Sequence, residues 1–257
     1  MGGNPDNPEL VALPGSAWTL KARWALKHHN VKYRTTVYTP VFGAWWLRFR
    51  SGKWSGRITT PVMFTPKDGV LFESLDIAQW ADDHSSAAGA SSLFPAAKLE
   101  DIRRWNDAAD TALHYARSRV FATLKSSKKL RTARMAARMP SFFKALGPLG
   151  DVFNNWYLNQ FSSKYEDVSS AASLEKTKAV LRDLQEAIKA NGGYVLGSFT
   201  YADIAMAVAV QTIEPVGPPF TKLSDEARAA LTHQELKAEF GELVAWRDQI
   251  FQKHFPS

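Results

Sequence analysis

Glu9-Leu10-Val11-Ala12-Leu13-Pro14-Gly15-Ser16-Ala17-Trp18-Thr19-Leu20-Lys21-Ala22-Arg23-Trp24-Ala25-Leu26-Lys27-His28-His29-Asn30 reads as a strand followed directly by a helix. Residues 9–13 are a short apolar run. Pro14-Gly15 breaks it. Ser16 stands before a helix-forming stretch over 17–29, and Asn30 stops that stretch. Residues 32–38, rich in Val, Thr and Tyr, predict a second strand. The chain therefore opens β-α-β.

The next segment, residues 39–59, reads as a long loop containing Trp45, Trp46 and Trp54. Two apolar runs follow, 61–64 and 70–72. Thr65-Pro66-Lys67-Asp68-Gly69 joins them, a turn composition that predicts a hairpin. Ser74 then precedes Leu75, Ile77, Ala78, Trp80 and Ala81 on an amphipathic helix. Residues 86–98, small and polar as far as Ser92 and then Leu93-Phe94-Pro95, read as a linker. Beyond it strand signals cease. Helices are predicted over 99–123, 128–139, 141–145, 152–161, 174–190, 202–212 and 234–251. The expectation is an α+β chain: a domain over 7–85 with a mixed four-stranded sheet and flanking helices, the linker, and an all-helical domain over 99–257.

Composition narrows the function. The 257 residues include no cysteine, which excludes disulfides, thiolate metal sites, iron–sulfur clusters and a cysteine nucleophile. No run of about 18 uncharged apolar residues is present, so no membrane-spanning helix is expected. The opening residues lack the basic and apolar regions of a signal peptide, and a cytoplasmic protein is expected. The six histidines form no metal-spaced pair, so no metal is expected. No phosphate-binding Gly-rich loop and no Gly-x-Ser-x-Gly elbow appears.

Net charge is +7. Residues 111–150 hold nine Lys/Arg and no acid, with Lys128, Arg131, Arg134 and Arg138 on one helix face. That face reads either as an anion-attracting surface or as a plain solvated one. Aromatics are not interleaved through it as nucleic-acid binding would require, so no nucleic-acid partner is expected.

Five features come in order: Ser16 between strand and helix, Thr60-Pro61 before the hairpin, Glu73-Ser74 after it, the change to helices beyond 98, and Thr200-Tyr201-Ala202-Asp203, a Thr-x-x-Asp capping box. Together, over residues 9–250, they resemble the soluble glutathione transferase superfamily. The stretch 16–26 is similar to its first-helix pattern, although Ala17 stands where the family usually has proline. Thr60-Pro61 is similar to its cis-proline site and Phe72-Glu73-Ser74 to its Glu-Ser motif. The resemblance implies a thioredoxin-like first domain, a helical second domain, glutathione as co-substrate and a homodimer.

It also implies roles. Ser16 is the candidate catalytic residue, activating the thiol of glutathione, with Thr19 as a second hydroxyl nearby. A free thiol titrates near 8.5, and lowering that by two units takes ~2.7 kcal/mol. A hydroxyl donating to a thiolate contributes about 1.5–3 kcal/mol. The alternative is that Ser16 only caps its helix. Glu73 and Ser74 would bind the γ-glutamyl ammonium and carboxylate. Thr60, beside Pro61, would pair with the cysteinyl backbone, and Lys53 and Arg57 would hold the glycine carboxylate. Thr200 and Asp203 read as structural. For the second, apolar or aromatic electrophile, Phe42, Trp45, Trp46, Trp105, His114, Tyr115 and Arg119 are the candidate lining.

The absence of cysteine argues against thiol-transfer members of the family. Residues 24–33 are similar to beta-etherase-type transferases, which leaves aryl-ether cleavage open. A non-catalytic carrier of apolar anionic ligands, or a docking module using the basic segment, remain alternatives.

Overall fold

The computed structural model describes residues 7–39, 43–87, 89–126, 171–220 and 223–255. The helices predicted over 128–139, 141–145 and 152–161, and most of the basic segment, lie outside the described residues.

The first part of the chain is a thioredoxin-like unit. Strand β1 is Glu9–Ala12, helix α1 Ala17–His28 and strand β2 Arg34–Val37. Helix α2, Gly43–Ser51, occupies part of the stretch read as a loop. Strands β3 (Val62–Phe64) and β4 (Val70–Leu71) form the hairpin, and α3 is Ser74–Asp83. The sheet order is β2-β1-β3-β4. β1 runs parallel to β2 and antiparallel to β3, with Val11 opposite Val62. β3 is antiparallel to β4, with Met63 opposite Leu71. Gly69 supplies the positive φ, +77°, that the hairpin turn needs.

All four residues of β1 are buried, Glu9 included. Its carboxylate accepts from Arg34 at 2.8 Å, Arg50 at 2.6 Å and the Thr36 hydroxyl at 2.6 Å. That charge is thereby shared across β1, β2 and α2. Arg50, with help from Thr36 and Arg34, overrides the cost of burial and holds the carboxyl down at about 2. The sheet core between β1, β3 and α2 is Val11, Leu47 and Val62.

The remainder is helical: α4 (Leu99–Ser126), α5 (Ala171–Ala190), α6 (Tyr201–Ala209), α7 (Asp225–Leu231) and α8 (Gln234–His254), with short 3-10 turns at Ala96–Lys98 and Val210–Thr212. Every residue of α6 is buried. It packs on α4, α1 and α8, so it is the centre around which the helices and the sheet unit close. Its start is sealed by the capping box: Asp203 accepts from the Thr200 N–H at 2.8 Å, the Thr200 hydroxyl at 3.1 Å and the Val195 N–H at 2.8 Å. The end of α8 returns to α1, where the indole N–H of fully buried Trp24 donates to the His254 carbonyl at 3.0 Å. Residues of the predicted linker are pinned to α3, since Asp82 accepts from the Leu93 N–H at 2.7 Å and the Ser92 hydroxyl at 2.6 Å.

Candidate functional site

Strand direction gathers the site. Ser16 follows the C-terminal end of β1. Thr60-Pro61 precedes the start of β3, which lies opposite that end of β1. Glu73-Ser74 follows β4, whose Leu71 lies opposite the start of β3. Antiparallel pairing thus brings Ser16, Thr60 and Glu73-Ser74 to one end of the sheet. The Thr60–Pro61 peptide is cis. Thr60 makes no backbone–backbone hydrogen bond among the described residues.

Ser16 is the N-cap of α1, in extended conformation. Its Oγ accepts from the Thr19 N–H at 3.5 Å, a long contact. Capping uses one acceptor position and leaves the hydroxyl proton free to be donated. The Thr19 hydroxyl is buried and makes no hydrogen bond, whereas Ser16 is half-exposed.

Glu73 is the N-cap residue of α3, yet its side chain makes no capping bond. Partial burial, with Asp76 and Asp110 nearby, raises its carboxyl above the usual range, against the pull of Lys53 and Lys21. Ser74 is buried and lies beside the buried Tyr201 hydroxyl, which lacks a hydrogen bond of good geometry. The Lys53 ammonium lies 4.5 Å from the centre of the Phe72 ring.

Near this end of the sheet lies a polar joint that sequence reasoning did not assign. Lys21 of α1 is fully buried. Its ammonium donates to Asn106 Oδ1 at 2.8 Å and Asp110 Oδ1 at 2.7 Å, both on α4. Burial lowers its pKa, and Asp110 is the chief group opposing that shift. The signal in the sequence was a lysine on the buried side of α1, between Thr19 and Ala22.

The proposed electrophile-pocket residues do not all converge. On α4, the His114 ring lies 5.4 Å from that of Trp18 of α1, tilted by 37°, and the Arg117 guanidinium lies 5.0 Å from the same indole. Burial and then Arg117 lower the His114 pKa, so its ring is neutral at neutral pH. Tyr115 turns instead to His233, 2.9 Å away in the helical core. Trp105 is also a core residue. Arg119 lines a separate small cavity with Thr123, Gln211, Thr212 and Leu231. Trp45 and Trp46 sit on the outer side of α2, 72% and 41% exposed. Phe42 lies outside the described residues. Trp18 and Arg117 join His114 because α1 and α4 meet there.

Residues 15–84 match the family model described as glutathione S-transferase, N-terminal domain. That stretch, from the turn before α1 to the end of α3, is similar to a glutathione S-transferase N-terminal domain. Solved structures of glutathione transferases match along nearly all of the chain. Glutathione transferase GSTFuA2 from Phanerochaete chrysosporium is 17% identical, with a TM-score of 0.62, covering 98% of this chain and 99% of that one. Beta-etherase LigF from Sphingobium sp. strain SYK-6 is 18% identical, with a TM-score of 0.57 over 96% of each chain. A glutathione S-transferase from Methylobacillus flagellatus KT, solved with glutathione bound, is 16% identical, with a TM-score of 0.54 over 96% of each chain. No curated protein matches the sequence. At these identities the structural matches establish the fold.

Proposed function

We propose that this chain is a serine-type glutathione transferase, which ionises the thiol of glutathione at Ser16 and directs it at an apolar, aromatic electrophile. The observation that carries the proposal is the convergence of Ser16, the cis Thr60–Pro61 peptide and Glu73-Ser74 at one end of the sheet. Ser16 donates its hydroxyl proton to the sulfur at the positive end of α1. Its two readings are compatible, because the cap uses the oxygen as acceptor and activation uses the proton. Stabilisation of about 1.5–3 kcal/mol from a bond to a charged atom matches the ~2.7 kcal/mol that a two-unit drop in thiol pKa requires.

Glu73, uncommitted to its helix, faces the γ-glutamyl ammonium. The start of α3 at Ser74 offers backbone N–H groups to the γ-glutamyl carboxylate. Thr60 pairs its backbone with the cysteinyl residue, and Lys53 and Arg57 take the glycine carboxylate. Trp18 and His114 form the aromatic wall for the electrophile.

Calorimetric titration with glutathione, followed by turnover against an activated aryl halide and an aryl ether, tests this. Saturable binding with electrophile-dependent loss of free thiol is expected. Binding without turnover of any electrophile favours a carrier, and absence of binding overturns the proposal.

A further inference from the structure

Tyr201 opens α6 and is wholly buried, and its hydroxyl makes no hydrogen bond. Buried polar side-chain atoms ordinarily have a partner, and an orphaned one is destabilising. This hydroxyl is not a loose end of the packing. The Tyr201 ring stacks on that of Phe94 at 5.1 Å, and the Tyr201 N–H donates to the Leu93 carbonyl at 3.0 Å. Ring and backbone are both held, so the position of the oxygen is fixed.

Three polar groups surround that oxygen: Ser74, Asp76 and Asp110. Asp110 is engaged by the Lys21 ammonium at 2.7 Å. Asp76 stands in the first turn of α3. Neither carboxylate accepts the Tyr201 proton. Ser74 is the one within side-chain hydrogen-bonding reach, yet the two hydroxyls are not aligned as a bond.

A hydroxyl pair of this kind is completed by an anion. When Ser74 donates its proton to a carboxylate, its oxygen is oriented with its lone pairs turned away from that anion. It then becomes the acceptor that Tyr201 lacks. Donation by Tyr201 in turn polarises the Ser74 O–H towards the anion. Ser74 is 3% exposed, so water competes little for either bond.

We infer that Tyr201, from the helical part of the chain, is a positioning residue for the γ-glutamyl carboxylate of glutathione: its hydroxyl donates to Ser74 Oγ, and Ser74 donates to the carboxylate. The inference rests on the reading of Glu73-Ser74 as the γ-glutamyl site. Tyr201 touches no substrate and acts through Ser74. Binding completes the hydrogen bond that its hydroxyl lacks, so the hydroxyl contributes to affinity and not to the stability of the fold.

The test is calorimetric titration of the full chain with glutathione and with 4-aminobutyryl-cysteinyl-glycine, the analogue that lacks only that carboxylate. Wild type, Tyr201→Phe, Ser74→Ala and the double variant are compared, with Tm read by circular dichroism. Tyr201→Phe should weaken glutathione binding about three- to tenfold, with Tm unchanged or raised. The weakening should vanish in the Ser74→Ala background and for the analogue. Unchanged glutathione affinity in Tyr201→Phe would overturn the inference and leave the γ-glutamyl reading standing. A lowered Tm, or a loss that persists with the analogue or without the Ser74 hydroxyl, would assign the tyrosine to the fold and overturn it too. Wild type that does not bind glutathione would remove the γ-glutamyl reading itself, and this inference with it.

Discussion

Removing Asp110 should destabilise the protein more than removing Lys21, although both end the same 2.7 Å ion pair. The Lys21 side chain is fully buried and that of Asp110 is 29% exposed. In Lys21→Met the methionine fills the volume of the lysine stem. Asp110 then turns to water, and Asn106 loses a donor. That loss is about 2 kcal/mol. In Asp110→Ala the ammonium stays buried and keeps its hydrogen bond to Asn106. Such an uncompensated buried charge costs about 3–5 kcal/mol. The lysine meets part of that cost by shedding its proton, in the direction burial already drives it.

Urea denaturation at neutral pH resolves the two, and the difference corresponds to about 2–4 °C in Tm per kcal/mol for a chain of this size. The double variant Lys21→Met/Asp110→Leu should recover part of the loss, because no charge is then left unpaired. A larger loss in Lys21→Met than in Asp110→Ala, or a double variant as unstable as the sum of the two singles, would refute the reasoning.

Other outcomes follow from the same geometry. Glu9 is held at about 2 by its arginines against an ordinary 4.5. Its contribution of about 3 kcal/mol is therefore complete above pH 4.5 and lost as pH falls towards 2. Glu9→Gln should lower stability at pH 7, keep a little under half of that deficit at pH 3 and converge on wild type only near pH 2, read by denaturant titration at each value. Asp203→Ala strands the N–H groups of Val195 and Thr200 at about 1–3 kcal/mol each. It should lower Tm sharply while the folded fraction keeps its glutathione affinity by calorimetry, and Asp203→Asn, which retains one acceptor, should lose less. Glu73→Gln should raise the glutathione Kd about ten- to a hundredfold. In wild type, affinity should fall on acidification as Glu73 protonates, beginning above the ordinary glutamate range because its pKa is raised; the variant should lack that pH dependence.

Local signals carried most of the sheet unit. Ser16 caps a helix that ends two residues before Asn30, where φ is +51°. The Pro/Asp-Gly turn made the hairpin legible, and Thr-x-x-Asp located the cap of α6. The cis state of Thr60–Pro61 came only from family resemblance, since Thr-Pro composition does not fix the isomer. Helix α2 was read as loop because Trp45 and Phe49 face outward and break the single apolar stripe expected of a surface helix. Helix α7 has seven residues and buries none of them, so no periodicity marked it. Lys21 pairs with a residue 89 positions away, and nothing local in the sequence encodes that contact. The aromatic candidates scattered for the same reason: residue type marked Trp105 and Tyr115 as apolar, but only packing decides that they face the helical core.

The ultraviolet difference titration of bound glutathione, in wild type and Ser16→Ala, tests the central claim most directly. A thiol titrating about two units below the free value of ~8.5 in wild type, and returning towards it in the variant, is predicted. A bound thiol that titrates at the free value, or one that ignores the loss of the Ser16 hydroxyl, would contradict it.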